Sequence, residues 1–111
     1  EKYLYELIKN DYPTLEIKQN IRNILPNGLE IDIYIPKYKL CIELNGPFHF
    51  YPIFGIERLK NTQNRDIQKQ LEINKLGLDS IVIDISKLNG DKKTQTFLNQ
   101  YYLSSIKPLL Q

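Results

Sequence analysis

Residues 29 to 35, LEIDIYI, alternate without error: Leu29, Ile31, Ile33 and Ile35 point one way, Glu30, Asp32 and Tyr34 the other. A period of two belongs to a strand, and its unbroken apolar side fixes which face must be covered by a core. Such a strand needs neighbours, and its flanks supply them. Pro26-Asn27-Gly28 is a turn signal on one side and PKYK, residues 36 to 39, a short loop on the other. Beyond it residues 40 to 44 form a second strand, with Leu40, Ile42 and Leu44 on one face and Cys41 and Glu43 on the other. If PKYK is the four-residue hairpin loop, Ile35 faces Leu40, and the same register sets Asp32 directly against Glu43.

The rest of the chain sorts by period. Residues 2 to 10 put Leu4, Leu7 and Ile8 on one side of a short helix, ended by Asp11, Tyr12 and Pro13. Residues 15 to 25, with Leu15, Ile17, Ile21 and Leu25, read as an irregular strand. Residues 64 to 76 predict a helix carrying Ile67, Leu71 and Asn74 along one side, stopped by Gly77. The β-branched SIVIDI, residues 80 to 85, predicts a central, buried strand. Residues 94 to 110 predict a closing helix. The order α, β, β, β, α, β, α is a three-stranded meander joined by a helical crossover to a fourth strand.

Composition narrows the class. With 111 residues, 41% of them hydrophobic and 25% charged, the chain has the make-up of one globular domain spanning residues 1 to 111. The sequence starts at Glu1 without an initiator methionine, which suggests a piece excised from a longer protein. One cysteine excludes an internal disulfide framework and a Cys-rich zinc site, and fits an intracellular, reducing compartment. Cys41, inside an apolar run, reads as a core residue. No apolar run is long enough for a membrane helix, and none resembles a secretory leader, so no membrane partner is expected. A net charge of +2 does not by itself argue for nucleic-acid binding.

The opposed pair Asp32 and Glu43 raises the first chemical question. Like charges facing each other in a sheet cost roughly 0.2 to 1 kcal/mol, and a divalent cation reverses that sign. The alternative is a solvated edge where both carboxylates tolerate each other. His49, the only histidine, follows six residues after Glu43, past Asn45-Gly46-Pro47 and between Phe48 and Phe50. It reads either as a packed, hydrogen-bonded residue or as a proton carrier with a pKa near neutrality.

These residues carry a family resemblance. IDIYIPKYKLCIELN, with an Asp and a Glu on paired strands and ten residues between them, resembles the PD-(D/E)XK nuclease core. That resemblance implies an α/β, restriction-endonuclease-like αβββαβ fold: a mixed sheet flanked by helices, here with an added C-terminal helix. ELNGPFHFYP followed by NRDIQKQLEINKLGLDSIVIDI is similar to the very-short-patch repair endonucleases and to the EDxHD homing endonucleases, over about residues 3 to 86. In that pattern a helical Glu, a strand Asp, a His and a helical Asp follow in order, matched by Glu6, Asp32, His49 and Asp66.

The resemblance implies a hydrolase that cuts DNA phosphodiester bonds with Mg²⁺, for which Mn²⁺ substitutes, by a nick or a double-strand break. It implies Asp32 as principal metal ligand, with Glu43 and the backbone carbonyl of Leu44 beside it. His49 would activate water or donate to the leaving oxygen, Glu6 would orient a metal-bound water, and Asp66 would orient His49 or bind through water. One departure is Asn45, which stands where the general pattern has a lysine. His49, Arg65 or Lys69 would have to supply the missing positive charge. The stretch IELNGPFHFYP is also similar to the RAP domain, which implies instead an RNA-binding or RNA-processing module with little catalysis; there the departure is Asn45 where Asp is usual.

For the nucleic-acid partner, Arg58, Lys60, Arg65 and Lys69 are the candidate phosphate contacts, with residues 52 to 64 expected as a long connection. A flexible, solvated loop is the alternative. Tyr34, Tyr38 and Tyr51 read as packing residues or as stacking platforms for a base. Phe97, Tyr101 and Tyr102 in the C-terminal segment suggest a helix that covers the sheet or a partner chain, making a homodimer an expectation.

Overall fold

The computed structural model describes residues 2 to 111. Its element order is α1 (Lys2–Asp11), β1 (Lys18–Ile21), β2 (Ile31–Ile35), β3 (Leu40–Asn45), α2 (Ile56–Lys75), β4 (Asp79–Asp84) and α3 (Asp91–Tyr101). The four strands form one mixed sheet in the order β1-β2-β3-β4, antiparallel from β1 to β3 and parallel between β3 and β4. The α/β architecture expected from the sequence is therefore present, with helices on both faces and a C-terminal helix.

The alternation of β2 survives intact: Ile31, Ile33 and Ile35 are buried, while Asp32 and Tyr34 are half-buried on the other face. PKYK turns through a short 3₁₀ segment, Pro36–Tyr38, and closes on Lys39 in the left-handed region at φ 50°. Ile35 then pairs with Leu40 and Ile33 with Ile42, which is the register read from the sequence.

One face of the sheet is dry. Leu4 and Ile8 of α1, and Leu98, Tyr102, Ile106 and Leu110 from α3 onward, pack on Ile33, Ile35, Leu40, Ile42 and Ile83. Burying such side chains is worth roughly 1.5 to 3 kcal/mol each, and this layer holds the domain together. A second, smaller apolar cluster of Leu25, Leu29, Ile31, Cys41 and Ile73 gathers near the end of α2. Cys41 is fully buried there, and its surroundings push the thiol up to about 12, burial being the largest cause.

Five expectations are corrected. The first strand is short, because Leu25 leaves it to enter the second cluster ahead of the Pro26–Gly28 turn, where Asn27 and Gly28 both take positive φ. Residues 52 to 64 are no long loop: α2 begins at Ile56, its N–H ladder already running when Leu59 N–H bonds to Gly55 C=O. Helix α2 also packs with the opposite side inward. Ile67 and Leu71 stay 61% and 50% exposed, whereas Leu59, Thr62, Asp66, Lys69 and Ile73 line the side against the sheet. Strand β4 is an edge, with Val82 46% exposed, and not a central strand. Finally, the closing helix starts earlier than expected, at Asp91, and winds unevenly: α3 to Tyr101, a π turn over Tyr102–Ile106 and a 3₁₀ turn over Lys107–Leu110, with Tyr102 buried and Phe97 and Tyr101 packed on the dry core. Its aromatic rings are wholly or partly taken up by the chain's own core, while Leu103 and Leu109 stay exposed.

Candidate active site

Strands β2 and β3 part where the carboxylates meet. Regular pairing stops at Ile33 and Ile42, and one step further Asp32 faces Glu43. There the Leu44 N–H donates to Asp32 Oδ2 at 3.0 Å, a side-chain oxygen taking the place of a ladder carbonyl. The splayed strand ends open a cleft of about 580 Å³, lined by Asp32, Glu43, Leu44, His49, Arg65, Asp66 and Lys69, together with Arg22, Thr62 and Phe48.

Glu43 is the charged side chain buried deepest among the described residues, at 4% exposure. A carboxylate there must be paired or neutral. Lys69 Nζ stands 3.3 Å from Glu43 Oε2, but Glu43 Oε1 is buried with no hydrogen-bond partner. Burial above all, and then the negative charge of Asp32, push the Glu43 carboxyl up to about 8; the Lys69 ammonium pulls it down without offsetting them. The site is therefore short of positive charge at Glu43.

Histidine 49 arrives by a different route. After Asn45 the chain breaks at Gly46 and folds into a 3₁₀ turn, Pro47–His49, closed by His49 N–H bonding to Gly46 C=O. The turn brings the imidazole against α2, where Nδ1 lies 2.7 Å from Asp66 Oδ2, and Gln63 Nε2 donates to the His49 carbonyl at 3.3 Å. An ionised carboxylate only accepts, so Nδ1 is the donor in this contact, the arrangement that leaves Nε2 as the ring nitrogen facing away from Asp66.

The structure therefore brings Asp32, Glu43, His49 and Asp66 to one cleft but not Glu6. That residue is exposed on α1, in a separate groove with Lys2, Tyr5, Gln19 and Asn20 that shares no residue with the cleft. Of the four cations expected to hold phosphates, Arg65 lines the cleft and Lys69 is tied to Glu43, so Lys69 belongs to the carboxylates rather than to an outer surface. Arg58 sits over the Phe54 ring, 5.6 Å from its centroid, beside a second hollow that also includes Phe48, Tyr51 and Arg65. Lys60 is exposed and lines neither. Tyr38 is no stacking platform: it packs on the dry core and donates to the Leu110 carbonyl at 2.8 Å. Tyr34 packs on the smaller cluster.

Two residues were missed from sequence. Arg22 reaches the cleft from the end of the short first strand, donating to the Gly28 carbonyl at 2.8 Å. Thr62 is there because α2 starts early. The overlooked signal is a helical stripe, Leu59, Thr62, Asp66, Lys69 and Ile73, spaced by alternating threes and fours with apolar residues at its two ends.

No group of three or more His, Cys, Asp or Glu side chains among the described residues is arranged as a metal cluster. The donor set nevertheless suits a hard divalent cation, which takes one or two carboxylates and completes its shell with carbonyl, water and substrate oxygens. The unpartnered Oε1 of Glu43 and the carboxyl's raised pKa are the features that such a cation would relieve. No protein-family model and no curated protein matches this chain.

Proposed function

We propose that this chain is a divalent-cation-dependent endonuclease that hydrolyses phosphodiester bonds in DNA. The observation that carries the reading is the buried Glu43 carboxylate, set against Asp32 with one oxygen unpartnered and a His49–Asp66 pair lining the same cleft. Mg²⁺ or Mn²⁺, held by Asp32, Glu43 and the Leu44 carbonyl, would supply Lewis-acid polarisation of the scissile phosphate.

The chain's own groups do the rest. Nε2 of His49 takes the proton of the attacking water, and Asp66 holds the ring's tautomer and stabilises the imidazolium that results. Arg65 neutralises charge building on the phosphate oxygens. Lys69, reaching from α2, stands where its ammonium serves in place of the lysine that Asn45 displaces from β3. Asp32 and Glu43 are anchored on rigid strands, so the phosphate is oriented by groups that need not reorganise during reaction.

The test is cleavage of supercoiled plasmid and of a structured RNA in Mg²⁺ or Mn²⁺, with Asp32→Ala and His49→Ala beside the unaltered chain. Plasmid nicking that needs the metal and disappears in both variants supports the proposal. The RNA-module reading is favoured by the exposed rings of Phe48 and Phe54, stacked 5.1 Å apart at 13°, since such faces accept unpaired bases. RNA bound equally well by all three proteins, with nothing cut, would decide for it.

A further inference from the structure

Among the described residues no strand pairs beyond β4. Its parallel pairing with β3 uses the backbone of alternate residues, as in Asp79 N–H to Lys39 C=O and Ile85 N–H to Asn45 C=O. The N–H and C=O groups of Ser80, Val82 and Asp84 therefore point to the open edge. An unpaired edge is a template for another strand, and soluble chains usually blunt it with lysine, proline or a bulge. Asp79 and Asp84 put charge at the two ends of DSIVID, but no lysine, proline or bulge interrupts it, and its central Val82 is 46% exposed. Beside Val82, on the same face of the sheet, the outward stripe of α2 leaves Ile67 and Leu71 bare, forming with it an apolar groove of about 360 Å³.

We infer that β4 pairs antiparallel with β4 of a second copy about a two-fold axis at Val82, forming a continuous eight-stranded sheet. The strand is complementary to itself in that register. Residues directly opposed in an antiparallel pair lie on one face, so a two-fold pairing can match only residues an even number apart. Asp79 and Asp84 are five apart, and the repulsive alignment of one against the other is thereby excluded. With Val82 on the axis, Val82 meets Val82, Ile81 meets Ile83, and Ser80 meets Asp84. No like charges are opposed at any of these positions, since Asp84, which accepts from the Ser86 N–H at 2.9 Å, lies across from an uncharged serine. The outward-facing backbone groups of Ser80, Val82 and Asp84 all find partners in this alignment. Because the axis runs perpendicular to the sheet, the bare Ile67 and Leu71 of both copies come to flank the joined edge on one side.

The occupant is a second copy because this register satisfies the edge, its charges and its apolar groove together. The inference does not depend on the proposed chemistry. If that chemistry also holds, both clefts open on the same side of the joined sheet.

Sedimentation equilibrium from about 1 μM to about 1 mM, a range spanning ordinary dimer affinities, is the first measurement. A reversible dimer is expected, weakened at least about 10-fold by Val82→Lys, whose charge meets its own copy at the axis. In the hydrogen-bonded antiparallel pair, Cα atoms stand about 5.5 Å apart, within disulfide range. Mild oxidation of Val82→Cys should then join two chains covalently, while the unaltered chain, whose Cys41 is fully buried, stays unlinked. A single-chain mass throughout the range overturns the inference. So does a dimer that persists in Val82→Lys while Val82→Cys fails to cross-link, because another surface then holds it. Circular dichroism of both variants confirms that each strand still folds.

Discussion

The two faces of the sheet solve different problems with the same strands. On the α1 and α3 side, Ile33, Ile35, Ile42 and Ile83 meet only apolar partners, and every contact contributes to stability. On the α2 side, Asp32 and Glu43 share the face with Cys41 and Tyr34, and the helix presents Asp66 and Lys69 to them. Apolar contact there is confined to the cluster around Ile73 and to Leu59 near the helix start. A small domain can keep a costly polar layer on one side because the other side is uniformly dry. The residues that would have made the α2 side ordinary, Ile67 and Leu71, are turned away from it.

The largest expected effect separates chemistry from stability. Asp32→Ala should lower cleavage on the order of 100-fold or more, while in urea the relief of repulsion from Glu43 offsets part of the loss of the Leu44 N–H acceptor, so the fall in stability should stay below about 2 kcal/mol. On the dry face the reverse is expected: Ile42→Ala, at a fully buried position, should cost about 2 to 5 kcal/mol in urea denaturation, with cleavage per folded molecule unchanged.

Next comes pH. A carboxyl whose folded pKa is raised from 4.5 to about 8 favours folding while protonated, so in metal-free buffer stability should decline as pH rises from near 4.5 to about 8 and then level off. The total fall should be on the order of a few kcal/mol. Thermal melts with EDTA should show this fall, Glu43→Gln should flatten it, and Mg²⁺ at the alkaline end should restore stability to the unaltered chain. A flat profile in the unaltered chain would remove the charge deficit on which the cation argument rests.

Smaller still, Asp66→Asn should keep the fold but lower cleavage about 10- to 100-fold, since Asn can leave His49 in either tautomer. The smallest effect is on the outward stripe: Ile67→Ser should move the stability of the single chain by no more than about 0.5 kcal/mol, whereas Ile73→Ala, one helical face away, should cost about 2 to 5 kcal/mol.

Much of the site could be read in advance. Strict alternation in LEIDIYI and the four-residue loop determined the β2–β3 register, and with it the opposition of Asp32 and Glu43. The pairing of His49 with Asp66 followed only from the family resemblance, yet the structure places them 2.7 Å apart. Glu6 failed for a physical reason. Its order along the chain matched the pattern, but the rotation of α1 about its axis is set by Leu4 and Ile8 seeking the dry core, and that leaves Glu6 in a separate groove. SIVIDI reads as central because β-branched runs favour burial on both faces; it sits at an edge because among the described residues no strand pairs beyond it, and α2 leaves Val82 partly uncovered as well.

Local periodicity determined the strands, their turns and the facing carboxylates, since each depends on residues only a few positions apart. Which side of α2 meets the sheet was decided by tertiary structure alone. From its own sequence α2 offers Ile67 and Leu71, one turn apart, as an apolar side. In the folded chain the buried carboxylate of Glu43 needs a cation and His49 needs an acceptor, and both partners, Lys69 and Asp66, lie on the stripe between Leu59 and Ile73. A buried polar group without a partner costs more than two aliphatic side chains left in water, and with this stripe inward Glu43 and His49 both find partners on α2.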